Sequence, residues 1–246
     1  MSLIVTTSQV ANIMPMAGDG LGRWFSNPVI SNNLLSATLE TIYMSFWSGF
    51  FSILLGLPIG LLLVATAPSG LLSASKVARV VYSVLGFIVN VGRSLPFVIL
   101  MISIIPFTRL LVGTSLGWKA AVVPLTLAAA PFFARLVESN VQGVDTGKLE
   151  AAKMAGASNW QIMLGVQVRE ALPALIQSIT VTLISLIGYG AMAGTLGTGG
   201  LGALAMNYGY TRFMGDVMLI VVIDILLIVV IVQWVGDMLS RLVDHR

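Results

Sequence analysis

Only 9% of the residues are charged, so the groups able to bind, ionise or attack can be weighed one by one. Two of them interrupt apolar runs: Arg93, in Arg93-Ser94-Leu95-Pro96, and Asp224. A charge at mid-bilayer costs about 2.5–3.5 kcal/mol even on a lenient insertion scale, so each must face protein or a water-filled cavity. Two readings stay open for the pair. It lines a transport path, including as a salt bridge that changes when the path opens, or it is a fixed structural pair with the arginine nearer the interface. A second group is Gly188-Tyr189-Gly190-Ala191-Met192-Ala193-Gly194, followed by Gly197, Gly199, Gly200 and Gly202. So many glycines point to close helix packing with a mobile outer loop, or to packing alone. On the path reading, Tyr189 and Met192 join Arg93, Ser94 and Asp224 as lining candidates.

Other chemistries fall away on residue type and spacing. Gly143-Val144-Asp145-Thr146-Gly147-Lys148-Leu149 resembles a phosphate-binding Walker loop only superficially. That loop needs four residues between its glycines and Ser or Thr after the lysine; here there are three and a leucine. Any ATP hydrolysis therefore belongs to another chain. There is no cysteine, hence no disulfide, thiolate nucleophile or thiolate-bound metal, and the one histidine, His245, has no partner nearby in the sequence. No paired carboxylates suggest catalysis, so the expectation is no enzyme, no metal and no cofactor bound by this chain.

The elements that must position these residues are membrane spans. The chain has 246 residues, 57% of them hydrophobic, and a mean hydropathy of +0.96, whereas a soluble domain is roughly a quarter charged. A net charge of +3 is too small to suggest nucleic acid. Five apolar runs reach the length of about 20 residues that a crossing needs: about 41–67, 77–107, 120–137, 172–193 and 217–235. Gly56 and Gly60 in the first form a small-xxx-small packing face. Residues 1–38 are turn-rich, lack a cleavable signal pattern, and read as an extracytoplasmic extension with a short interfacial helix near Leu21–Phe25. Residues 39–240 read as the transmembrane domain and 241–246 as a tail.

The longest polar interval, about 140–171, needs a purpose. Glu150 to Met154 are strong helix formers, Gly156 interrupts, and Ser158 with Gln161 reads as a capping box opening a second short helix. Trp160, Met163 and Leu164 then share one face. The order Glu150-Ala151-Ala152, three residues, Gly156-Ala157-Ser158 and a Val166-x-Val168 ending resembles the "EAA" loop of binding-protein-dependent ABC importer permeases. That pattern usually closes Ile-x-Leu-Pro; here Arg169 stands in the proline's place and Pro173 follows.

Further motifs narrow the resemblance to the methionine branch of that family: Arg93-Ser94-Leu95-Pro96-Phe97, Ile105-Pro106-Phe107-Thr108-Arg109, Val123-Pro124-Leu125-Thr126, Gly199-Gly200-Leu201-Gly202 and Tyr208-Gly209-Tyr210. The resemblance covers about residues 39–237. It implies an all-α membrane protein with five transmembrane helices and the type I ABC importer permease fold. It also implies a second copy of this chain, two ATPase subunits using ATP and magnesium, and an extracytoplasmic methionine-binding lipoprotein. The implied substrate is methionine, L and D forms. In that family the loop is cytoplasmic and its coupling helix sits in a cleft of the ATPase; ATP binding draws the two coupling helices together and opens the central cavity outward. Glu150, Ala151, Ala152, Gly156, Ala157, Ser158, Trp160, Met163 and Leu164 are then the coupling residues.

Charge sets the orientation independently. With the Glu150 loop inside, Lys76, Arg79, Arg135, Lys148, Lys153, Arg169, Arg241 and Arg246 are cytoplasmic, against Arg23, Arg109, Lys119 and Arg212 outside. That obeys the positive-inside rule and predicts a multi-pass inner-membrane protein with its N-terminus outside and C-terminus inside. A permease for another amino acid or solute, an ion-coupled secondary transporter using Arg93 and Asp224, and a noncatalytic membrane scaffold are the competing readings.

Overall fold

The computed structural model describes residues 27–68, 70–72 and 75–244. The expected helix near Leu21–Phe25, together with Arg23, His245 and Arg246, lies outside the described residues. Helix α1 spans Pro28–Thr66. Asn27 caps it by accepting the Val29 N–H through its side chain, and Pro28 opens the first turn, where no N–H is needed. Residues 28–38, expected to be loosely structured, are therefore helical. After a short connection come α2 (Lys76–Ser94), α3 (Phe97–Ser103), α4 (Ile105–Val112), α5 (Trp118–Gln142) and α6 (Thr146–Met154). A π-type turn, Gln161–Gln167, leads into α7 (Val168–Ala193); α8 (Gly200–Leu204) and α9 (Gly215–Val243) complete the fold, and no strand occurs among the described residues.

Among the described residues five helical runs are long and apolar enough to cross a membrane: α1, α2, α5, the run Gln161–Thr198 and α9. The all-α, five-span expectation holds, with one boundary corrected. The second crossing ends at Ser94 instead of running on to Phe107. Pro96 disfavours helical backbone at the residue before it, and Leu95 is extended, with φ −77° and ψ 127°. Thus α3 and α4 are separate short helices at the end of the molecule where α1 begins. At 39 residues and about 1.5 Å per residue, α1 far exceeds a hydrocarbon core of about 30 Å. The connection Ala67–Ser75 ties its Thr66 end to α2, so the surplus length projects at the other end.

Packing depends on close backbone approach. A Cβ at Gly56 would lie 2.8 Å from the Ala130 carbonyl oxygen, and one at Gly60 would lie 2.6 Å from that of Ala134 and from Val137 Cβ. The predicted small-residue face of α1 thus meets α5. Gly92 of α2 crosses α5 at Pro131, and Gly236 of α9 sits on Thr180 of α7. Apolar clusters fill the spaces between, including Val64, Phe133, Val137 and Leu175 near one end and Ile30, Leu201, Val217 and Val221 near the other. Helices α2 and α9 leave most of their apolar surface outward, as at Val80, Phe87, Leu226 and Trp234.

Gly60→Leu should reduce the yield and melting temperature of purified protein, since overpacking costs typically about 1–3 kcal/mol. By contrast Gly86→Ala, where nothing lies within 4 Å, should be neutral or stabilising by about 0.5–1 kcal/mol. Thermal unfolding in detergent checks both.

Candidate coupling loop and transport path

Helix α6 starts at Asp145, whose carboxylate accepts the Gly147 N–H at 2.8 Å, and ends in a glycine stop. Gly156 takes φ +80°; its N–H donates to the Lys153 carbonyl at 3.0 Å, while the Ala157 N–H donates to that of Ala152 at 3.1 Å. These two bonds are the Schellman arrangement, which needs a left-handed residue at the Gly156 position. Ser158 and Gln161 then form the reciprocal capping box: the Ser158 N–H donates to Gln161 Oε1 (2.7 Å) and the Gln161 N–H to Ser158 Oγ (3.4 Å). The predicted helix, glycine turn and second helix are all present.

The second helix departs from the simple periodic expectation because its winding is wide, with the Val168 N–H reaching back five residues to the Met163 carbonyl. Met163 turns inward and is 6% exposed, whereas Trp160 and Leu164 are 65% and 52% exposed. All three line one apolar cleft together with the Thr66 end of α1. Glu150, Ala151 and Ser158 lie on the exposed surface of the loop, and Ala152 and Ala157 are half-buried. Two polar links fix the loop to the spans. Asn159 Nδ2 donates to the Leu71 carbonyl at 3.1 Å, and Lys148 Nζ pairs with Glu170 Oε2 at 2.5 Å.

Of the two intramembrane candidates, Arg93 lies at a helix end, as in one of the two open readings, and Asp224 lies within a span. Arg93 is an exposed residue in the last turn of α2, where its charge suits the helix C-terminus; Ser94 Oγ donates to the Val91 carbonyl. Asp224 is half-buried and accepts from Thr38 Oγ1 at 2.5 Å. Thr38 lies roughly 42 Å along α1 from Thr66, and Asp224 roughly 14 Å into α9 from Gly215, at about 1.5 Å per residue, so the pair sits about a third of the way along the 29-residue α9. No salt bridge joins Arg93 to Asp224 among the described residues. Tyr189 stacks on Phe97 with ring centroids 5.1 Å apart and planes at 12°, pinning α3 against α7; Met192, one turn on, is exposed.

Three polar assemblies were missed by sequence reasoning. Glu40 Oε2 accepts the Gly200 N–H at 2.7 Å and Thr41 Oγ1 accepts the Leu201 N–H at 2.9 Å, so α1 supplies the cap of α8. A Cβ at Gly199 would fall 2.4 Å from Glu40 Oε2, and Gly194 and Gly202 press their backbones together. The glycine-rich stretch expected to include a mobile loop is thus packed helix and turn. Second, Glu138, 3% exposed, accepts from Arg135 (2.5 Å), Gln142 (3.3 Å) and the Tyr82 hydroxyl (3.4 Å), linking α5 to α2. Third, Asp237 of α9 accepts from Gln177 of α7 and Gln233. Glu40 beside Thr41 at the edge of an apolar run was the one available signal.

Five spans, with a capped and glycine-stopped helical loop projecting at one end, define the membrane subunit of a transport system. The chain matches the family described as the binding-protein-dependent transport system inner membrane component over residues 66–245 and belongs to it. It is 45% identical over 231 residues, covering 94% of this chain and 100% of the relative, to the "Probable D-methionine transport system permease protein MetI" of Vibrio cholerae. It is 44% identical over 224 residues, covering 91% and 99%, to the "Methionine import system permease protein MetP" of Bacillus subtilis. A chain of the solved MetNI methionine ABC transporter in inward-facing conformations superposes with a TM-score of 0.83 at 43% identity, covering 89% of this chain and 100% of that one.

At Gly156 no atom opposes a new Cβ, so its substitution tests backbone alone. Gly156→Asn, tolerant of positive φ, should keep the purified chain's loop resistant to limited proteolysis. Gly156→Val should increase cleavage between Met154 and Gln161 while leaving membrane insertion intact. Ser158→Ala should loosen the second helix by about 1 kcal/mol and give an intermediate cleavage rate.

Proposed function

We propose that this chain is the membrane-spanning subunit of an ATP-driven methionine importer. It works as two copies with two copies of a separate ATPase and receives substrate from an extracytoplasmic binding lipoprotein. The observation that carries the reading is the loop 143–167: a rigid two-helix device, anchored to the spans through Lys148 and Asn159, that leaves Trp160 and Leu164 available for a partner. Relatives named for methionine transport, matched over nearly the whole chain, supply the substrate class.

In this mechanism the ATPase pair grips the two loops, and ATP binding moves them toward each other. Because Asn159 holds the α1–α2 connection and Lys148 holds the start of α7, loop displacement tilts those spans and opens the central cavity to the binding protein. Hydrolysis returns it. ATP and magnesium act on the partner subunit. Arg93, Ser94, Tyr189, Met192 and Asp224 remain the proposed path residues, with the α3 hinge between Ser94 and Phe97 the element that moves.

The orientation belongs to the same proposal. With α2 ending at Ser94, Arg93 joins Arg23, Arg109, Lys119 and Arg212 at the outer end, five basic residues against eight inside, which keeps the positive-inside bias. A C-terminal alkaline phosphatase fusion should be inactive and a C-terminal fluorescent-protein fusion bright; the reverse pattern would refute the orientation.

The decisive assay is ATP-dependent uptake of labelled L- and D-methionine in cells lacking their own methionine importers and carrying this chain with its ATPase and binding protein. Uptake should occur with the native chain and fall at least tenfold with Gly156→Val, that is, by about 1.4 kcal/mol or more of coupling. Co-purification of the subunits without methionine entry would keep the importer and overturn the substrate.

A further inference from the structure

The cleft behind the coupling helix has a volume of about 390 Å³ and is walled by Leu57, Pro58, Leu61 and Leu62 of α1, Leu71 and Leu72 of the connection, and Trp160, Met163 and Leu164. We infer that this cleft is a binding site for the acyl chain of a membrane phospholipid, which wedges between α1 and the coupling helix. Three observations select that occupant. The first is chemistry: Asn159 supplies the polar group at the rim, and its Nδ2 is already committed to the Leu71 carbonyl. A stable buried water needs two to four polar partners, so the cleft favours hydrocarbon.

The second is depth. Leu57 lies roughly 14 Å along α1 from Thr66 at about 1.5 Å per residue, well inside the crossing segment. A soluble ATPase subunit, gripping the loop from the aqueous side, does not reach that level. The third is continuity. Leu62, 45% exposed, belongs both to the cleft and to the outward apolar stripe of α1 that continues through Leu55 and Leu54. The cleft therefore opens onto an outward apolar stripe of α1 and reaches Trp160. The exposed Lys76 and Arg79 stand in the first turn of α2, at the same end of the spans as Leu72 of the cleft, where positive charge suits a phosphate headgroup.

The consequence for a coupling device is mechanical. With the chain of a lipid in place, the coupling helix and α1 move as one packed body; with the cleft empty, the helix tilts against α1 and part of its displacement is lost. This inference does not depend on the substrate, nor on the orientation.

The test reconstitutes the complete complex, with its ATPase subunits, into vesicles of phosphatidylethanolamine and phosphatidylglycerol. A fraction of the phosphatidylglycerol carries a photoactivatable diazirine near the end of one acyl chain, and adducts are mapped by mass spectrometry. Lipid adducts are expected on residues 159–164 as well as on the outward face of α9 around Leu226–Trp234. Leu62→Trp, which fills the inlet from an already exposed position, should lower the 159–164 adducts severalfold and leave those on α9 unchanged. Adducts on α9 with none on 159–164 in the native chain would overturn the inference, and this arm needs no variant. So would photo-cross-links from a benzophenone amino acid placed at Met163 that join it to the ATPase or to a second copy of this chain in place of lipid.

Discussion

The close contact of α1 with α5 carries the rest of the molecule. In a bilayer every backbone N–H and C=O must be satisfied within the protein, which forces helices, and apolar surface gains nothing by leaving lipid for protein. Association then depends on dispersion at short range, which only small residues permit. Gly56 and Gly60 let the α1 backbone reach the carbonyls of Ala130 and Ala134. Once α5 is held, Pro131 receives α2 at Gly92, and α1 receives α8 through Glu40 and Thr41. Helices α2 and α9, which bury little, are attached through this central pair and through α7.

The polar loop solves a different problem. A loop outside the spans has no apolar core of its own, and this one takes its shape from local backbone bonds instead. The Asp145 cap, the Schellman stop at Gly156 and the Ser158–Gln161 box satisfy its helix ends without help from the spans. Its polar attachments are few and specific: Asn159 to the Leu71 carbonyl and Lys148 to Glu170. The exposed Lys148–Glu170 pair contributes little energy in water, typically about 0–1 kcal/mol, so its value is geometric, fixing which end of α7 follows the loop.

Charged groups avoid the middle of the bundle. Arg93 ends α2, Asp224 meets Thr38 about a third of the way along α9, and Asp216 at the start of α9 accepts from Asn27 at 2.7 Å. Glu138, although buried, is surrounded by three donors, as a buried carboxylate must be. The molecule thus meets the high cost of intramembrane charge by placement at ends and by saturation of hydrogen bonds.

Much of this was legible in the chain itself. Hydropathy and length determined five crossings, the order of helix formers, glycine, serine and glutamine determined the shape of the loop, and Gly56 with Gly60 determined which face of α1 packs. These are local properties, since helical periodicity, capping and the left-handed preference of glycine act over a few residues. Only the tertiary structure decided that Glu40 caps α8 across 160 residues, that Asp224 meets Thr38 instead of Arg93, and that Tyr82 of α2 reaches Glu138 of α5. Each of these is a contact between segments distant in sequence, set by which backbones approach closely, and no local pattern encodes the partner across such a gap.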